Sequence, residues 1–400
     1  MPHADTYVAN ADRTFLDTGT RITDRLTVVK HLSDCGGSSL VYKIEDNKNK
    51  RIWILKELFP YLWYKRIYRR GKSVVIEDAS QSDIKRIERY AKEECDKSAE
   101  LCRENESNSS FFFMSEDITS EVLKNPDFSQ THTRYLLIDT KNGYTLDIEK
   151  NYTLEESLLY VIKILNSVEK MHDKGYIHCD LKFDNVYFIN GFESTEETFC
   201  VILDCGTSQK IGNVDLVGVS GTHMFAAPEL MILGDYIQDN DYDRAEQFKN
   251  KIGIHTDIFS VGAMLFRMLM GSKYSDTAWQ TDDDPNDIYI NSKYCSLEDK
   301  YDLIRGELSK KYAEQYPYLV EELARCCFKA LNFEGGGFNI SFNRYESCGM
   351  FSDDLKKMLS ILKNEGIDPV LIAENSAKFI KQYDKKVYDE ELLPEVILMG

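Results

Sequence analysis

Three side chains with chemistry to offer crowd into one run, YIHCDLKFDNVYF, from Tyr176 to Phe188. The Asp180 carboxylate can orient a hydroxyl and accept its proton. The Lys182 ammonium can stabilise negative charge developing beside it. The Asn185 side-chain oxygen is a hard donor suited to a cation such as Mg²⁺. Two further groups complete a set. Asp204, in Asp204-Cys205-Gly206, is a second hard oxygen donor at the end of an apolar run, and Lys56 lies inside another, Trp53-Ile54-Leu55-Lys56. A lysine in an apolar strand needs an anion. Taken singly, each has a plain alternative: a solvated loop, a turn aspartate, an edge lysine. Taken together they are the equipment for moving a phosphoryl group onto a hydroxyl.

These side chains need elements to hold them. Strands are expected over Leu26 to Leu32, Leu40 to Ile44, Arg51 to Leu58, Phe111 to Met114, Tyr135 to Ile138 and Cys200 to Leu203. The first two flank a turn of small residues that includes Gly36 and Gly37, where backbone N–H groups can approach phosphate closely. The charged stretch Ser82 to Asn105 is expected to be helical, and the polar stretch Ser115 to Arg134 to be a loop. Thr153 and Glu156 form a capping box. Leu154, Leu158, Val161, Ile162, Leu165 and Val168 then repeat at helical spacing, and Gly175 closes the segment. Two more helices are expected over Tyr318 to Leu331 and Ser352 to Leu362, while the acidic GDYIQDNDYDR reads as a surface insertion and Tyr274 to Leu297 as irregular.

The order of these motifs resembles that of a bacterial-type serine/threonine protein kinase. His178, Asp180 and Asn185 follow its catalytic-loop pattern, Asp204-Cys205-Gly206 its metal-binding Asp-Phe-Gly, and Ala227-Pro228-Glu229 its Ala-Pro-Glu. The resemblance covers Gly19 to Asn364. It implies a two-lobed α+β fold, a small antiparallel sheet lobe with one main helix and a larger helical lobe. It divides the chain into a lead-in (1–18), a small lobe (19–139), a large lobe (140–364, with an insertion at about 230–254) and a tail (365–400).

By the same resemblance, Asp180 is the catalytic base with Lys182 beside the transferring group, and Asn185 and Asp204 hold the metal. ATP is met by Gly36, Gly37, Val41, Lys56, Ile138 and the backbone around Asp139 and Lys141. The partner of Lys56 is a helix carboxylate; a shared face with Leu101 favours Glu94, but periodicity leaves Glu93 open. His178, Asp257 and a Glu229–Arg344 pair give structural support, and Thr222 shapes the substrate floor. The cofactors implied are ATP and Mg²⁺, with Mn²⁺ as an alternative ion, and the partners are proteins bearing Ser or Thr.

Departures from the family are visible. Of Gly-x-Gly-x-x-Gly-x-Val only Gly36 and Val41 fall in place, with Asp34 and Ser39 at the outer glycine positions. Cys205 replaces the usual phenylalanine, and Cys179 the arginine that often precedes the catalytic aspartate. A pseudokinase scaffold is therefore the alternative function. A small-molecule kinase is disfavoured by the Ala-Pro-Glu segment and the Asp257 helix. Cys35, Cys179 and Cys205 would all lie near the nucleotide.

Composition bounds the partners. The 400 residues carry 49 basic and 67 acidic side chains, a net charge of −18, which argues against nucleic acid or an anionic membrane as partner. Ten cysteines without a CxxC pair or a signal peptide suggest reduced thiols in a cytoplasm. No apolar run is long enough to span a bilayer. The apolar end LLPEVILM is expected to dock on the body of the protein or on a partner.

Overall fold

The computed structural model describes residues 15–22, 24–33, 39–48, 50, 52–59, 67–70, 73–76, 80, 82, 89, 97, 115–117, 135–139, 143–189, 199–216, 221–222, 224–271, 274 and 295–363. The chain divides into two units. The first comprises Met1–Leu146, Lys170–Ser220 and Leu233–Asn250, the second Asp147–Glu169, Gly221–Ile232 and Lys251–Gly400.

The first unit is built on an antiparallel sheet of β1 (Leu26–Ser33), β2 (Ser39–Asp46), β3 (Ile52–Leu58), β6 (Ser115–Asp117) and β7 (Tyr135–Asp139), in the order β1-β2-β3-β7-β6. Period-two alternation decides which side chains face which way. Leu40, Tyr42 and Ile44 of β2 are buried with Trp53 and Leu55 of β3, under Leu16, Ile22, Ile67 and Val74. Val41 and Lys56, directly opposite one another in the ladder, belong to the other face. A hairpin of β4 (Ile67–Arg70) and β5 (Ser73–Ile76), absent from the sequence-based expectation, supplies Ile67 and Val74 to this core. It also carries Arg69 to the buried Glu57 carboxylate: Nη1 donates to Oε1 at 3.0 Å and Nη2 to Oε2, and Glu57 accepts a further bond from the Tyr42 hydroxyl at 3.0 Å. A charge this deep is tolerated because it is paired and hydrogen-bonded.

β6 corrects one expectation. Ser115–Asp117 lies inside the stretch read as a loop, yet it pairs with β7. Edge pairing is a backbone interaction, so Ser-Glu-Asp can make it without an apolar pattern. Phe111 to Met114, the strand expected there, lies outside the described residues. Three shorter ladders follow in the same unit: β8 (Gly143–Thr145), β10 (Val186–Ile189) and β11 (Phe199–Ile202) form one sheet, and β9 (Tyr176–Ile177) pairs with β12 (Gln209–Lys210).

Among the helices described along their whole length, the first in chain order is α1 (Leu154–Asp173). Its capping box is made: Glu156 N–H donates to Thr153 Oγ1 at 3.1 Å and Thr153 N–H to Glu156 Oε2 at 2.9 Å. Such a cap stabilises by about 1 kcal/mol. Gly175, at φ +80°, ends the segment in the left-handed region that a side chain would resist. Next come α2 (Pro228–Gln238) and α3 (Tyr242–Phe248). The acidic stretch expected as an insertion is mostly exposed, but it is helical. Asp241 caps α3 by accepting from Arg244 N–H, and Ala245 and Phe248 are buried.

In the second unit α4 (Ile254–Met270) is buried along most of its length and packs against α5 (Leu297–Tyr312) and α6 (Val320–Leu331), with α7 (Cys348–Leu362) against α6. The α4–α6 approach is close enough that a Cβ on Gly262 would come 2.6 Å from Ala330 Cβ. Helix α5 had no counterpart in the sequence-based expectation. Its buried stripe is only Lys300, Ile304, Leu308 and Tyr312, too narrow to give a clear apolar period. Among the described residues no single helix is long and apolar enough to cross a membrane.

Candidate active site

The register of a hairpin assembles the site. Val186 pairs with Ile202, so the residues just before β10 and just after β11 become neighbours, although they are far apart along the chain. Leu203 N–H donates to Asn185 O at 2.8 Å, and Asn185 N–H to Lys182 O at 3.0 Å. The loop Asp180–Asn185 is thereby laid beside Asp204. His178 ties the two together: Nε2 lies 2.8 Å from Leu203 O and Nδ1 accepts from Asp180 N–H at 3.2 Å, contacts that one neutral tautomer satisfies.

Within the loop, Lys182 Nζ sits 2.9 Å from Asp180 Oδ2. Asn185 Nδ2 donates to Asp180 O at 2.7 Å. That bond commits the amide nitrogen to the loop, so the amide oxygen is turned to face elsewhere. The Asp204 carboxylate receives Lys56 Nζ at 2.7 Å, across 148 residues of sequence. Burial works against its charge, but the Lys56 ammonium outweighs it, aided by Lys182, and holds the Asp204 pKa down at about 2. A carboxylate that stays ionised at any physiological pH is a standing cation ligand. Cys179 and Asp204 both take positive φ, +67° and +59°. Non-glycine residues in that region are held there by their surroundings, and such positions gather at functional sites.

The Asp180, Lys182, Asn185, Asp204, Lys56 and His178 positions are therefore brought together. Val41 stands opposite Lys56 on β2, and the backbone of Ile138 and Asp139 on β7 stands opposite Ile54 and Trp53. Gly36, Gly37, Glu93, Glu94 and Lys141 lie outside the described residues. Asn185 and Asp204 offer only oxygen, the donor set that suits Mg²⁺ or Mn²⁺ rather than a softer ion.

The second unit holds the remaining positions. Glu229, fully buried, meets Arg344 in a two-pronged pair, Oε1 to Nη1 at 2.6 Å and Oε2 to Nη2 at 3.1 Å. Thr256 Oγ1 donates to Glu229 Oε1 at 3.1 Å, and Arg344 reaches on to His255 O and Asn332 O, each at 3.1 Å. Burial opposes the Glu229 charge, and Arg344 overrides it, so its pKa falls below the ordinary carboxylate value. Asp257 is fully buried in the first turn of α4. Thr222 is half-buried and its carbonyl accepts from the N–H groups of Phe225 and Ala226, each at 2.8 Å.

Ser208 is fully buried, and Thr207 is 9% exposed and donates through Oγ1 to His178 O at 3.1 Å. One residue of this region had no sequence signal. Lys97, one of many charges in the stretch Ser82 to Asn105, donates to Ser208 O at 2.8 Å and Gly206 O at 3.3 Å.

Comparison with known proteins supplies the family. The protein kinase domain matches residues 72–331. The chain is 30% identical over 143 residues to the ovarian-specific serine/threonine-protein kinase Lok of Drosophila melanogaster, covering 34% of this chain and 27% of that protein. It is 28% identical over 156 residues to mitogen-activated protein kinase kinase kinase 17 of Arabidopsis thaliana, covering 39% of this chain and 36% of that protein. The chain thus spans about a third of the length of the curated relatives it matches. A solved structure of a double mutant of the Mycobacterium tuberculosis PknI kinase domain aligns with a TM-score of 0.47 at 13% identity, over 86% of this chain and all of that one. With a family match that spans well over half its residues, the chain belongs to the protein kinase family.

Proposed function

We propose that the chain is an active serine/threonine protein kinase that uses ATP and Mg²⁺ to phosphorylate hydroxyls of other proteins. The observation that carries this reading is the joined constellation of Asp180, Lys182, Asn185, Asp204 and Lys56. Asp180 orients the incoming hydroxyl and takes its proton, and Lys182 balances charge on the group in transit. Lys56, paired with Asp204 here, is the cation placed for nucleotide phosphate, and Asn185 and Asp204 would hold the divalent ion. When bound, that ion neutralises charge on the phosphates as the transfer proceeds. The preference for Ser and Thr, and the placement among bacterial-type kinases, are part of the proposal and rest on Lys182 and the motif set. A cytoplasmic location belongs to it too, supported by Cys295, Cys326 and Cys327, buried thiols in no disulfide among the described residues.

The test is transfer of labelled phosphate from ATP to the chain itself and to a generic protein, with and without Mg²⁺. Mg²⁺-dependent label on Ser and Thr is expected, and label on Tyr alone would overturn the specificity. Cys205, buried where the family has phenylalanine, favours a second reading as a nucleotide-binding scaffold. Nucleotide binding without any transfer would select it. The apolar C-terminal end is proposed to dock on the kinase body or on a partner. Removing residues 390–400 should then change solubility, melting temperature or rate, and a variant unaltered in all three would show that the end is idle.

A further inference from the structure

The segment that follows Asp204 is tied down by more than strand pairing. Gln209 and Lys210 pair with Ile177 and Tyr176, and Ile211 N–H donates to Gly175 O at 2.9 Å. Between Asp204 and that ladder, one cation among the described residues reaches the backbone from outside the segment. Lys97 Nζ lies 2.8 Å from Ser208 O and 3.3 Å from Gly206 O, bracketing Thr207, whose own hydroxyl is bound to His178 O. Ser208 is fully buried and its hydroxyl has no hydrogen-bond partner among the described residues, so the polar group that Lys97 serves at this residue is the backbone carbonyl.

Charge-assisted hydrogen bonds are about twice as strong as neutral ones. These two act immediately downstream of a residue in a sparsely populated conformation, Asp204 at φ +59°. A left-handed aspartate relaxes unless its neighbours prevent it. The residue ahead of Asp180, Cys179, is neutral and buried, and so cannot grip a phosphate that would otherwise order this segment. We infer that Lys97 is a positioning residue: by gripping the Gly206 and Ser208 carbonyls it sets the turn that presents the Asp204 carboxylate to a divalent cation, and it does so without a phosphate.

This inference rests on the kinase reading above, and the experiment separates the two. ATP binding to the full-length chain is titrated with Mg²⁺ by calorimetry, beside binding without metal and the melting temperature. Wild type, phosphatase-treated wild type, Lys97→Met and Lys97→Arg are compared. Lys97→Met should raise the half-saturating Mg²⁺ about tenfold, the loss expected for charge-assisted bonds, with metal-free ATP binding little changed. Lys97→Arg should restore it to within about threefold, because the guanidinium keeps charge and donors. Phosphatase treatment should change nothing. If Lys97→Met melts far below wild type, Lys97→Gln replaces it, and an intermediate shift is expected because its amide N–H donors carry no charge. An unmoved Mg²⁺ requirement in the variant that folds, or an equal loss of metal-free binding, overturns the role of Lys97 alone. A wild type that binds ATP with no response to Mg²⁺ overturns the kinase reading and the role of Lys97 together.

Discussion

The loop from Asp180 to Asn185 concentrates its chemistry in one carboxylate whose position is set by His178, Lys182 and Asn185. Asp180→Asn keeps size and shape but cannot accept a proton. Transfer should fall ~10²–10⁴-fold, or about 3–5 kcal/mol of barrier, with ATP binding kept. A rate within a few-fold of wild type would remove Asp180 from that role. A second single-residue effect concerns Lys300, 1% exposed, which donates to Phe333 O at 2.6 Å and lies 3.4 Å from the centre of the Phe333 ring. Burial lowers its pKa from 10.5 to about 7, against the pull of Cys295 and Glu334. Below pH 7 the folded and unfolded chains both carry the proton, and folding bears the full cost of burying it. Between about 7 and 10.5 the unfolded chain binds more protons, so stability rises with pH over that window. Lys300→Met should therefore flatten the pH dependence of unfolding. Its advantage over wild type should be greater at pH 6 than at pH 9 by roughly 1–3 kcal/mol. Equal pH profiles in denaturant titrations would contradict this.

At the scale of elements, the buried Glu229–Arg344 pair joins the start of α2 to the segment leading into α7, and Thr256 of α4 shares the same carboxylate. Glu229→Gln leaves a guanidinium without its counter-charge in a site closed to water. A loss of about 3–5 kcal/mol is expected from breaking one side of such a pair. The wild-type pair contributes above the ordinary carboxylate range and is lost as pH falls through the lowered pKa of Glu229. Chemical unfolding at pH 7 measures the effect, and a loss below about 1 kcal/mol would mean that water reaches the site. In the first unit, Arg69 of the β4–β5 hairpin plays the comparable part for Glu57, the residue next to Lys56 on the opposite face of β3.

For the whole molecule, the question is whether catalytic competence waits on a phosphate. Cys179 offers no charge to bind one, Thr207 and Ser208 are buried, and the ties on Thr207 through Ile211 are in place without it. Phosphatase-treated protein should keep its transfer rate within a few-fold of the untreated protein. A loss on the order of 100-fold, regained on rephosphorylation, would show that another basic group serves as receptor.

Much of this was legible before any coordinates, because local spacing carries it. The capping box of α1, the apolar period behind it and the order of Lys56, Asp180, Asn185, Asp204 and Glu229 are properties of neighbouring residues. The pairing of Glu229 with Arg344 came instead from the resemblance, since nothing local links residues 115 apart. Tertiary structure alone decided the rest. Glu57 became a buried charge only because the β4–β5 hairpin brought Arg69 over that face of the sheet. Helix α5 is held by a stripe so narrow, and β6 by an edge so polar, that neither has a pattern to read. Lys97 is one lysine in a charged stretch until folding sets its ammonium against two carbonyls more than a hundred residues away. A hydrogen bond to a backbone carbonyl leaves no trace in the identity of the residue that accepts it, so a sequence cannot announce such a contact.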